Sequence, residues 1–266
     1  MGSAPRVGYH WMSADRKDDP LATTGFLDRT VRVRGTEHRY QVYVSPGWTI
    51  LREWPVILFL HGSGERGADG LLQTQVGLAS AIRRNRKRFD RFLVVLPQCS
   101  RRVFFWKDVS AQEQALAALD ATVRQFHGDR SRLYLTGLSM GGYGTFSMAG
   151  RYPGIFAAAA AVCGGIRPPQ RFPHLRDKIK FPPGIDPYAE AARRIGPLPM
   201  WIFHGRLDDT VPVSESRKMV AAIRAAGGNV RYTEFPKERH GSWGPAYDHP
   251  GLLPWLLRHH LAAKSE

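Results

Sequence analysis

Short apolar runs alternate with amphipathic segments along most of the chain. Five runs are continuous and have the length of fully buried strands. Two earlier segments alternate polar and apolar residues, which is typical of strands with one exposed face, and a last strand lies near the C-terminus. The first two are predicted to form an antiparallel pair at a sheet edge. The eight predicted strands are residues 29–33, 38–44, 56–60, 92–96, 133–135, 157–162, 200–203 and 230–235.

Helix signals lie between the strands. Ser110 and Glu113 have the spacing of a capping box, which satisfies free amides at the start of a helix. Apolar residues at helical spacing then run from Leu116 to Phe126, and Gly128 is predicted to stop this helix.

Two further helices are predicted later in the chain. One covers residues 143–151, and another begins at Ser214 as its cap and ends at Gly227. Alternating strands and helices favour an α/β architecture, a mostly parallel sheet with helices on both faces. Residues 164–186 are rich in proline and basic residues and lack periodicity, so they are predicted to form an irregular, lid-like excursion.

Length and composition agree with a single domain. The chain has 266 residues, 43% of them hydrophobic, which suits one large α/β domain over residues 26–266 after an extension over 1–25, although length alone would also allow two small domains. No run of about 18 apolar residues predicts a membrane span. The N-terminus lacks the apolar run of a secretory signal, so a cytoplasmic location is expected. The opening Met-Gly-Ser resembles a cloning remnant, which leaves open a signal removed before it.

Positive charge dominates the sequence. The formal net charge is +15, and the densest basic cluster lies within residues 83–88. This cluster follows an apolar-periodic segment, so we expect it to decorate the exposed end of a helix. No nucleic-acid-binding motif accompanies the charge, and no nucleic-acid partner is expected. Cys99 and Cys163 are too few and too far apart for a disulfide framework or a zinc site, and they are predicted to be buried free thiols.

Residues 137–141 (GLSMG) match the pattern G-x-S-x-G. They follow the predicted strand 133–135 and precede a predicted helix, which is the setting of a nucleophile elbow. The elbow exposes a serine hydroxyl on a sharp turn, and its glycines let neighbouring backbone approach closely. A glycine-rich turn without chemistry has the same pattern. The prediction of Ser139 as a nucleophile therefore depends on partners elsewhere in the chain.

Residues 61–67 (HGSGERG) directly follow the apolar strand 56–60. Attack by a serine on an ester creates a negatively charged oxygen, which two preorganised amides stabilise by about 3 kcal/mol each. Met140, the residue after the nucleophile, and Ser63 are predicted to supply these amides. A phosphate-binding loop is the alternative, but the segment has neither the Lys-Ser/Thr ending of a P-loop nor the dinucleotide spacing. His61 itself is predicted to be structural.

A serine nucleophile needs an imidazole to take its proton, and the imidazole needs a carboxylate to hold its tautomer. In an elbow-bearing sheet of this type the acid and then the histidine follow the serine along the chain. Asp208 and Asp209 come just after strand 200–203, and either could be the acid. His240 lies in a turn-rich loop after strand 230–235 and is the predicted base.

Five segments together resemble a known group of proteins. HGSGERG, GLSMGGYGTF, AVCGG, WIFHGRLDDTVP and the HGSW region are similar to the single-domain serine esterases of the α/β-hydrolase superfamily, which are related to feruloyl esterases, polyhydroxybutyrate depolymerases and dienelactone hydrolases. Some relatives are described only as predicted peptidases. The resemblance covers about residues 25–257. It implies an α/β-hydrolase fold with a mostly parallel eight-stranded sheet and an antiparallel edge.

The resemblance also assigns the site residues. The acid is the aspartate of G-x-x-D-x-x-V-P, which is Asp208 here. The nucleophile and base positions match Ser139 and His240, and the oxyanion-hole positions match Ser63 and Met140. Dienelactone hydrolases proper use a cysteine nucleophile, so their particular activity does not follow from a sequence that has serine at this position.

The expected function is therefore hydrolysis of a small carboxylic ester through an acyl-enzyme, without metal or cofactor. Trp106 and Trp243 are candidate substrate-binding residues, with ordinary packing as the alternative for each. A serine peptidase on the same fold is a second possibility, although it would need a recognition domain for which 266 residues leave no room. A non-catalytic binding module with a basic surface is the third. The oligomeric state stays open.

Overall fold

The computed structural model describes residues 24–101, 106–169, 181 and 183–262. Eight strands form one sheet in the order β1-β2-β4-β3-β5-β6-β7-β8. Strand β2 is antiparallel to both of its neighbours, and the pairs from β4 through β8 are parallel. The strands are β1 (Gly25–Val33), β2 (Thr36–Val44), β3 (Trp54–Leu60), β4 (Leu93–Pro97), β5 (Gly128–Leu138), β6 (Ala158–Val162), β7 (Met200–Gly205) and β8 (Val230–Phe235).

All eight predicted strands are present, and the mostly parallel sheet with an antiparallel edge is confirmed. The central strands β3, β4 and β6 are buried along their whole length, as their continuous apolar sequences require. Strand β5 is longer than predicted because it begins with the polar residues 128–132, which precede its apolar part. Its far end leads directly into the G-x-S-x-G segment.

Helices cover both faces of the sheet and bury a hydrophobic cluster on each. Helices α2 to α5 pack on one face, and α1, α6 and α7 pack on the other. Residues 1–23 lie outside the described residues, as does most of the predicted excursion over 164–186, so the lid stays a prediction. The helices are α1 (Leu78–Arg84), α2 (Val109–Gln125), α3 (Met140–Arg151), α4 (Pro187–Ile195), α5 (Ser214–Ala225), α6 (Trp243–Asp248) and α7 (Leu252–Leu257).

The start and stop predicted for α2 are wrong. Its N-cap is Asp108, whose carboxylate accepts hydrogen bonds from both the amide (2.8 Å) and the hydroxyl (2.6 Å) of Ser110. Glu113 does not close a capping box; it pairs with Arg34 at 2.8 Å. Ser110 is the second residue of the helix and so lies past the N-cap position, which Asp108 occupies. The helix ends before Gly128, which is the first residue of β5.

The predicted cap of α5 is also wrong. Ser214 is the first helical residue rather than the N-cap, because Val213 before it already has helical backbone angles (φ −55°, ψ −23°). No side chain caps this end. The predicted end is confirmed: Gly227 takes a positive φ of 73° and its amide bonds the Arg224 carbonyl.

The basic cluster extends beyond a solvated helix end. It spans the last turn of α1 and a short 3-10 helix, Arg86–Phe89. Two of its side chains reach the end of α6: Arg84 pairs with Asp248, the last helical residue, at 2.8 Å, and Arg88 donates to the carbonyl of His249, the residue after it, at 2.8 Å. Part of the positive charge therefore ties α1 to the C-terminal region. Over the part of the chain that the structure describes, no helix is both long and apolar enough to cross a membrane.

Candidate active site

Ser139 lies on the tight turn between β5 and α3. Its φ of 52° and ψ of −116° are backbone angles that a residue with a side chain adopts only when its surroundings impose them, at a cost of about 1–3 kcal/mol. One surrounding contact is the hydrogen bond from its amide to the Val162 carbonyl on β6, at 2.9 Å. This strained turn raises the hydroxyl above the carboxyl end of the sheet, as a nucleophile elbow does.

Glycines allow this turn to form. A Cβ on Gly141 would lie 1.9 Å from the carbonyl oxygen of Leu60, and one on Gly137 would lie 2.4 Å from the carbonyl oxygen of Gly141. Both clashes involve backbone atoms, which cannot rotate away. The first turn of α3 therefore crosses the end of β3 at a distance that only glycine permits.

Substituting alanine for Gly141 is expected to destabilise the fold by more than about 3 kcal/mol, because the added methyl group overlaps the Leu60 carbonyl. Gly244→Ala in α6 is the matched control, since its Cβ would meet no atom within 4 Å. The measurement is the free energy of unfolding from urea titration of both variants. Equal stabilities would contradict this account of the elbow.

Three side chains from separate loops form a hydrogen-bonded chain. Ser139 Oγ lies 2.9 Å from Nε2 of His240, and Nδ1 of His240 lies 2.8 Å from Oδ2 of Asp208. A carboxylate can only accept, so Nδ1 carries the proton and Nε2 is free to accept from the serine hydroxyl. Asp208 follows β7, and His240 follows β8. The structure thus brings together the three residues predicted as nucleophile, acid and base.

The environment of Asp208 keeps its carboxyl group ionised. Its side chain is fully buried, whereas 19% of the His240 side chain is exposed. Burial acts to raise the pKa of Asp208, but hydrogen bonds from His204 and His240, the charge on His240 and the Val211 amide outweigh it and hold that pKa well below its usual range. The amides of Thr210 and Val211 both donate to Oδ1 at 2.9 Å. A buried carboxylate with this many donors is a charged, fixed acceptor for the imidazole.

The adjacent acid points elsewhere. Asp209 is 56% exposed and pairs with Arg239 at 2.8 Å. Its other contact is a long one, 3.4 Å, from the Thr210 hydroxyl. The two neighbouring carboxylates thus face different surroundings, and only Asp208 touches His240 among the contacts of the described residues.

The loop after β3 lies against the elbow. A Cβ on Gly62 would lie 3.8 Å from Cβ of Ser139, and Ser63 follows as the first residue of a short 3-10 helix, Ser63–Glu65. His61 holds this loop: its Nε2 accepts from the Cys99 amide (2.9 Å), so its Nδ1 carries the proton that is donated to the Gly62 carbonyl (2.6 Å). Burial lowers the pKa of His61 to about 4, so the ring stays neutral at neutral pH.

The second predicted oxyanion residue is placed at the helix start. Met140 is the first residue of α3, directly after Ser139, and its side chain is buried. Amides in the first turn of a helix are free of intrahelical partners and carry the positive end of the helix dipole. Met140 therefore adjoins Ser139 in the chain, and Ser63 follows Gly62, which lies against the elbow; their role as oxyanion donors stays a prediction.

The two tryptophans differ in their placement. Trp243 begins α6, is partly exposed, and packs edge-on against the His240 ring with centroids 5.4 Å apart. Trp106 is completely buried, and its indole donates to the carbonyl of His61 at 3.0 Å. It packs on Gly144 of α3. Trp106 therefore has the packing role that was the alternative to substrate binding. Of these two tryptophans, only Trp243 lies where a substrate could contact it.

One residue of the site escaped sequence analysis. His204, the penultimate residue of β7, is fully buried with Nε2 3.1 Å from Oδ2 of Asp208. The only sequence signal was its place in HGRLD, four residues before the acid. A histidine inside an apolar strand resembles an ordinary core residue, so its contact with the carboxylate could not be predicted.

The site also contains a thiol. Cys163 Sγ, a carboxylate oxygen of Asp208 and a ring nitrogen of His240 lie within 4.8 Å of one another, close enough to hold a metal ion. Burial raises the pKa of the Cys163 thiol strongly, and the charge of Asp208 raises it further. A metal on Nδ1 of His240 would displace the hydrogen bond to Asp208 that orients the ring. A metal ion on this nitrogen and the observed hydrogen bond therefore exclude each other.

Comparisons with known proteins agree with the fold. The sequence matches the model of the prolyl oligopeptidase family over residues 104–167 and 180–255, more than half of the chain. A solved structure described as a thermostable esterase is 30% identical and superimposes with a TM-score of 0.71, covering 88% of this chain and 63% of its own. No curated protein sequence matches significantly.

More distant structures show the same fold. An acylaminoacyl peptidase from Pyrococcus horikoshii is 18% identical with a TM-score of 0.68, covering 92% of this chain and 43% of its own. A puromycin hydrolase is 19% identical with a TM-score of 0.65, covering 94% of this chain and 42% of its own. The present chain thus spans about two fifths to two thirds of the length of these structures.

The strand order and these matches identify the α/β-hydrolase fold, on which serine hydrolases are built. Within that class, the chain belongs to the prolyl oligopeptidase family.

Proposed function

We propose that the protein hydrolyses carboxylic esters through an acyl-enzyme formed on Ser139. The observation that carries this proposal is the continuous hydrogen-bonded chain from Ser139 Oγ through His240 to the buried carboxylate of Asp208. A hydroxyl in this arrangement can lose its proton to Nε2 as it attacks. The 30% identity to an esterase over most of the chain supports esters as the substrates.

The proposed reaction proceeds in two halves. Ser139 attacks the ester carbonyl while His240 takes the proton, and the amides of Ser63 and Met140 stabilise the oxyanion. His240 then gives its proton to the leaving alcohol, which leaves an acyl group on Ser139. Water enters, loses a proton to His240, attacks the acyl carbon and releases the acid. Throughout, Asp208 holds Nδ1 of His240 and stabilises the imidazolium.

Trp243 is the proposed wall of the substrate pocket. It is partly exposed and lies directly against the base, so a bound acyl or alcohol group would pass close to its ring. Aromatic side chains bind apolar groups through their large surface.

Amide hydrolysis is the second candidate, and membership of the prolyl oligopeptidase family favours it. The same nucleophile and base would serve, but an amide leaves as an amine and needs more assistance from the general acid. The decisive comparison is kcat/KM for p-nitrophenyl acyl esters and methyl ferulate against aminoacyl p-nitroanilides and N-acetylated aminoacyl p-nitroanilides. The ester proposal expects the best substrate to be an ester after each value is divided by its rate in buffer alone. If a p-nitroanilide has the highest kcat/KM after this correction, the protein is a peptidase.

The proposed mechanism predicts a one-proton acid limb. A proton on His240 removes the acceptor for the serine hydroxyl, so kcat/KM should fall as the pH falls. His61 and Asp208 add no second proton between about pH 5 and 7, since burial lowers the pKa of His61 to about 4 and the pKa of Asp208 is held lower than usual. The plot of log(kcat/KM) against pH for a neutral ester should therefore have a slope of one. A slope of two in this range would show that a second group must also lose its proton.

A further inference from the structure

Asp208 is held by a second histidine besides the proposed base. The side chains of His204 and Asp208 are both fully buried, and Nε2 of His204 lies 3.1 Å from Oδ2 of Asp208 and 2.9 Å from the carbonyl oxygen of Val211. On its other side, Nδ1 of His204 lies 2.7 Å from Oγ of Ser216. Ser216 is also fully buried, in the first turn of α5.

The partners fix the tautomer of His204. Both groups near Nε2 can only accept a hydrogen bond, so the ring proton is on Nε2 and is shared between Oδ2 of Asp208 and the Val211 carbonyl. Nδ1 is then unprotonated and accepts from the hydroxyl of Ser216. Ser216, His204 and Asp208 thus form a row of hydrogen-bonded side chains. In this row each hydrogen bond is donated in the direction from Ser216 through His204 to Asp208.

This row completes the set of partners of the carboxylate. Oδ1 accepts two backbone amides, and Oδ2 accepts one imidazole from each side, His204 and His240. Without His204, the loop amides would still hold Oδ1, but the only remaining partner of Oδ2 would be His240, the imidazole that it orients. His204 is anchored by a strand and a helix, so it supplies a fixed reference that His240, on a partly exposed loop, does not.

We propose that His204, anchored by Ser216, is a positioning residue for the reaction: it fixes Oδ2 of Asp208 in the place where it orients Nδ1 of His240. The inference rests on the proposed function of Ser139, His240 and Asp208. It extends that site to five residues in a row, and it links the first turn of α5 to the nucleophile. His204 does not touch the reacting atoms; its effect passes through Asp208.

The test compares His204→Gln with His204→Met. The two replacements have similar volume, but only glutamine offers an amide N–H near the position of Nε2. With p-nitrophenyl butyrate, His204→Met should lower kcat by about 10- to 100-fold with little change in KM, as loss of an outer hydrogen-bond partner commonly does in metal sites. His204→Gln should recover most of the loss. The downfield proton resonance of the Nδ1–H of His240 should shift in the Met variant and stay near its wild-type position in the Gln variant.

Several outcomes would overturn the proposal. A folded His204→Met variant with wild-type kcat and an unshifted resonance would do so, and so would equal losses in the Met and Gln variants, which would indicate packing alone. Should the Met variant not fold, Ser216→Ala decides, since it removes one hydroxyl only: the proposal expects a severalfold lower kcat and a shifted resonance, and unchanged values refute it. Labelling of Ser139 by a fluorophosphonate in the wild-type protein shows separately whether the proposed function itself stands.

Discussion

Alanine at Ser139 is expected to lower kcat on a simple ester by about five to six orders of magnitude, and alanine at His240 by about the same amount. The two side chains act as one unit, because the hydroxyl is a poor nucleophile until Nε2 of His240, 2.9 Å away, takes its proton. KM should change little, since neither group is needed to bind the ester. The measurement is kcat on p-nitrophenyl butyrate, with protein purified free of host esterases.

The double variant Ser139→Ala/His240→Ala is the control for this interpretation. When two groups work only together, removing the second costs almost nothing once the first has gone. The double variant should therefore be about as active as either single variant. Thermal melting checks that all three are folded. A double variant that is clearly slower than both single variants would show that the residues contribute independently.

The second large effect separates two adjacent acids. Asp208→Asn keeps the shape of the side chain but offers His240 an amide in place of a charge, which lets the imidazole take the wrong tautomer. Such a change can lower kcat by about 10⁴-fold. Asp209 is more than half exposed and pairs with Arg239, so Asp209→Asn should cost less than about tenfold.

The matched pair of aspartate variants makes the comparison sharp, because each carries the same chemical change one residue apart. Both must melt like the wild-type protein for their kcat values to be compared. A larger loss in Asp209→Asn would mean that the acid is assigned wrongly. The ester hydrolase proposal would survive that result, but the hydrogen-bond chain through Asp208 would no longer explain the reaction.

Much of the fold could be predicted because it is encoded locally. Continuous apolar runs such as 56–60 form buried strands whichever neighbours they pair with, and their alternation with helices requires a mostly parallel sheet. The chemical residues follow from the same fact. Carboxyl ends of parallel strands meet at one rim, so residues just past β5, β7 and β8 lie close together although about 30 to 100 positions separate them.

What the sequence could not predict depends on packing between distant segments. The spacing of Ser110 and Glu113 suggested a capping box, but the amide of Ser110 donates to Asp108. Glu113 instead forms an ion pair with Arg34 on the β1–β2 turn. Trp106 resembled a pocket residue because it follows β4, whereas it is fully buried and its indole donates to the carbonyl of His61 on the loop after β3. His204 was hidden in an apolar strand, and its contact with Asp208 depends on the turn that follows β7.

The central claim is that Ser139 is a nucleophile activated by His240, and the most direct test is covalent labelling with a fluorophosphonate probe followed by peptide mapping by mass spectrometry. The probe reacts with a serine hydroxyl only when a neighbouring base activates it. The account predicts one labelled peptide, the one that contains Ser139, with labelling absent in Ser139→Ala and strongly slowed in His240→Ala. A folded protein that takes up no probe, as a binding module would, or that is labelled at another serine, would contradict it.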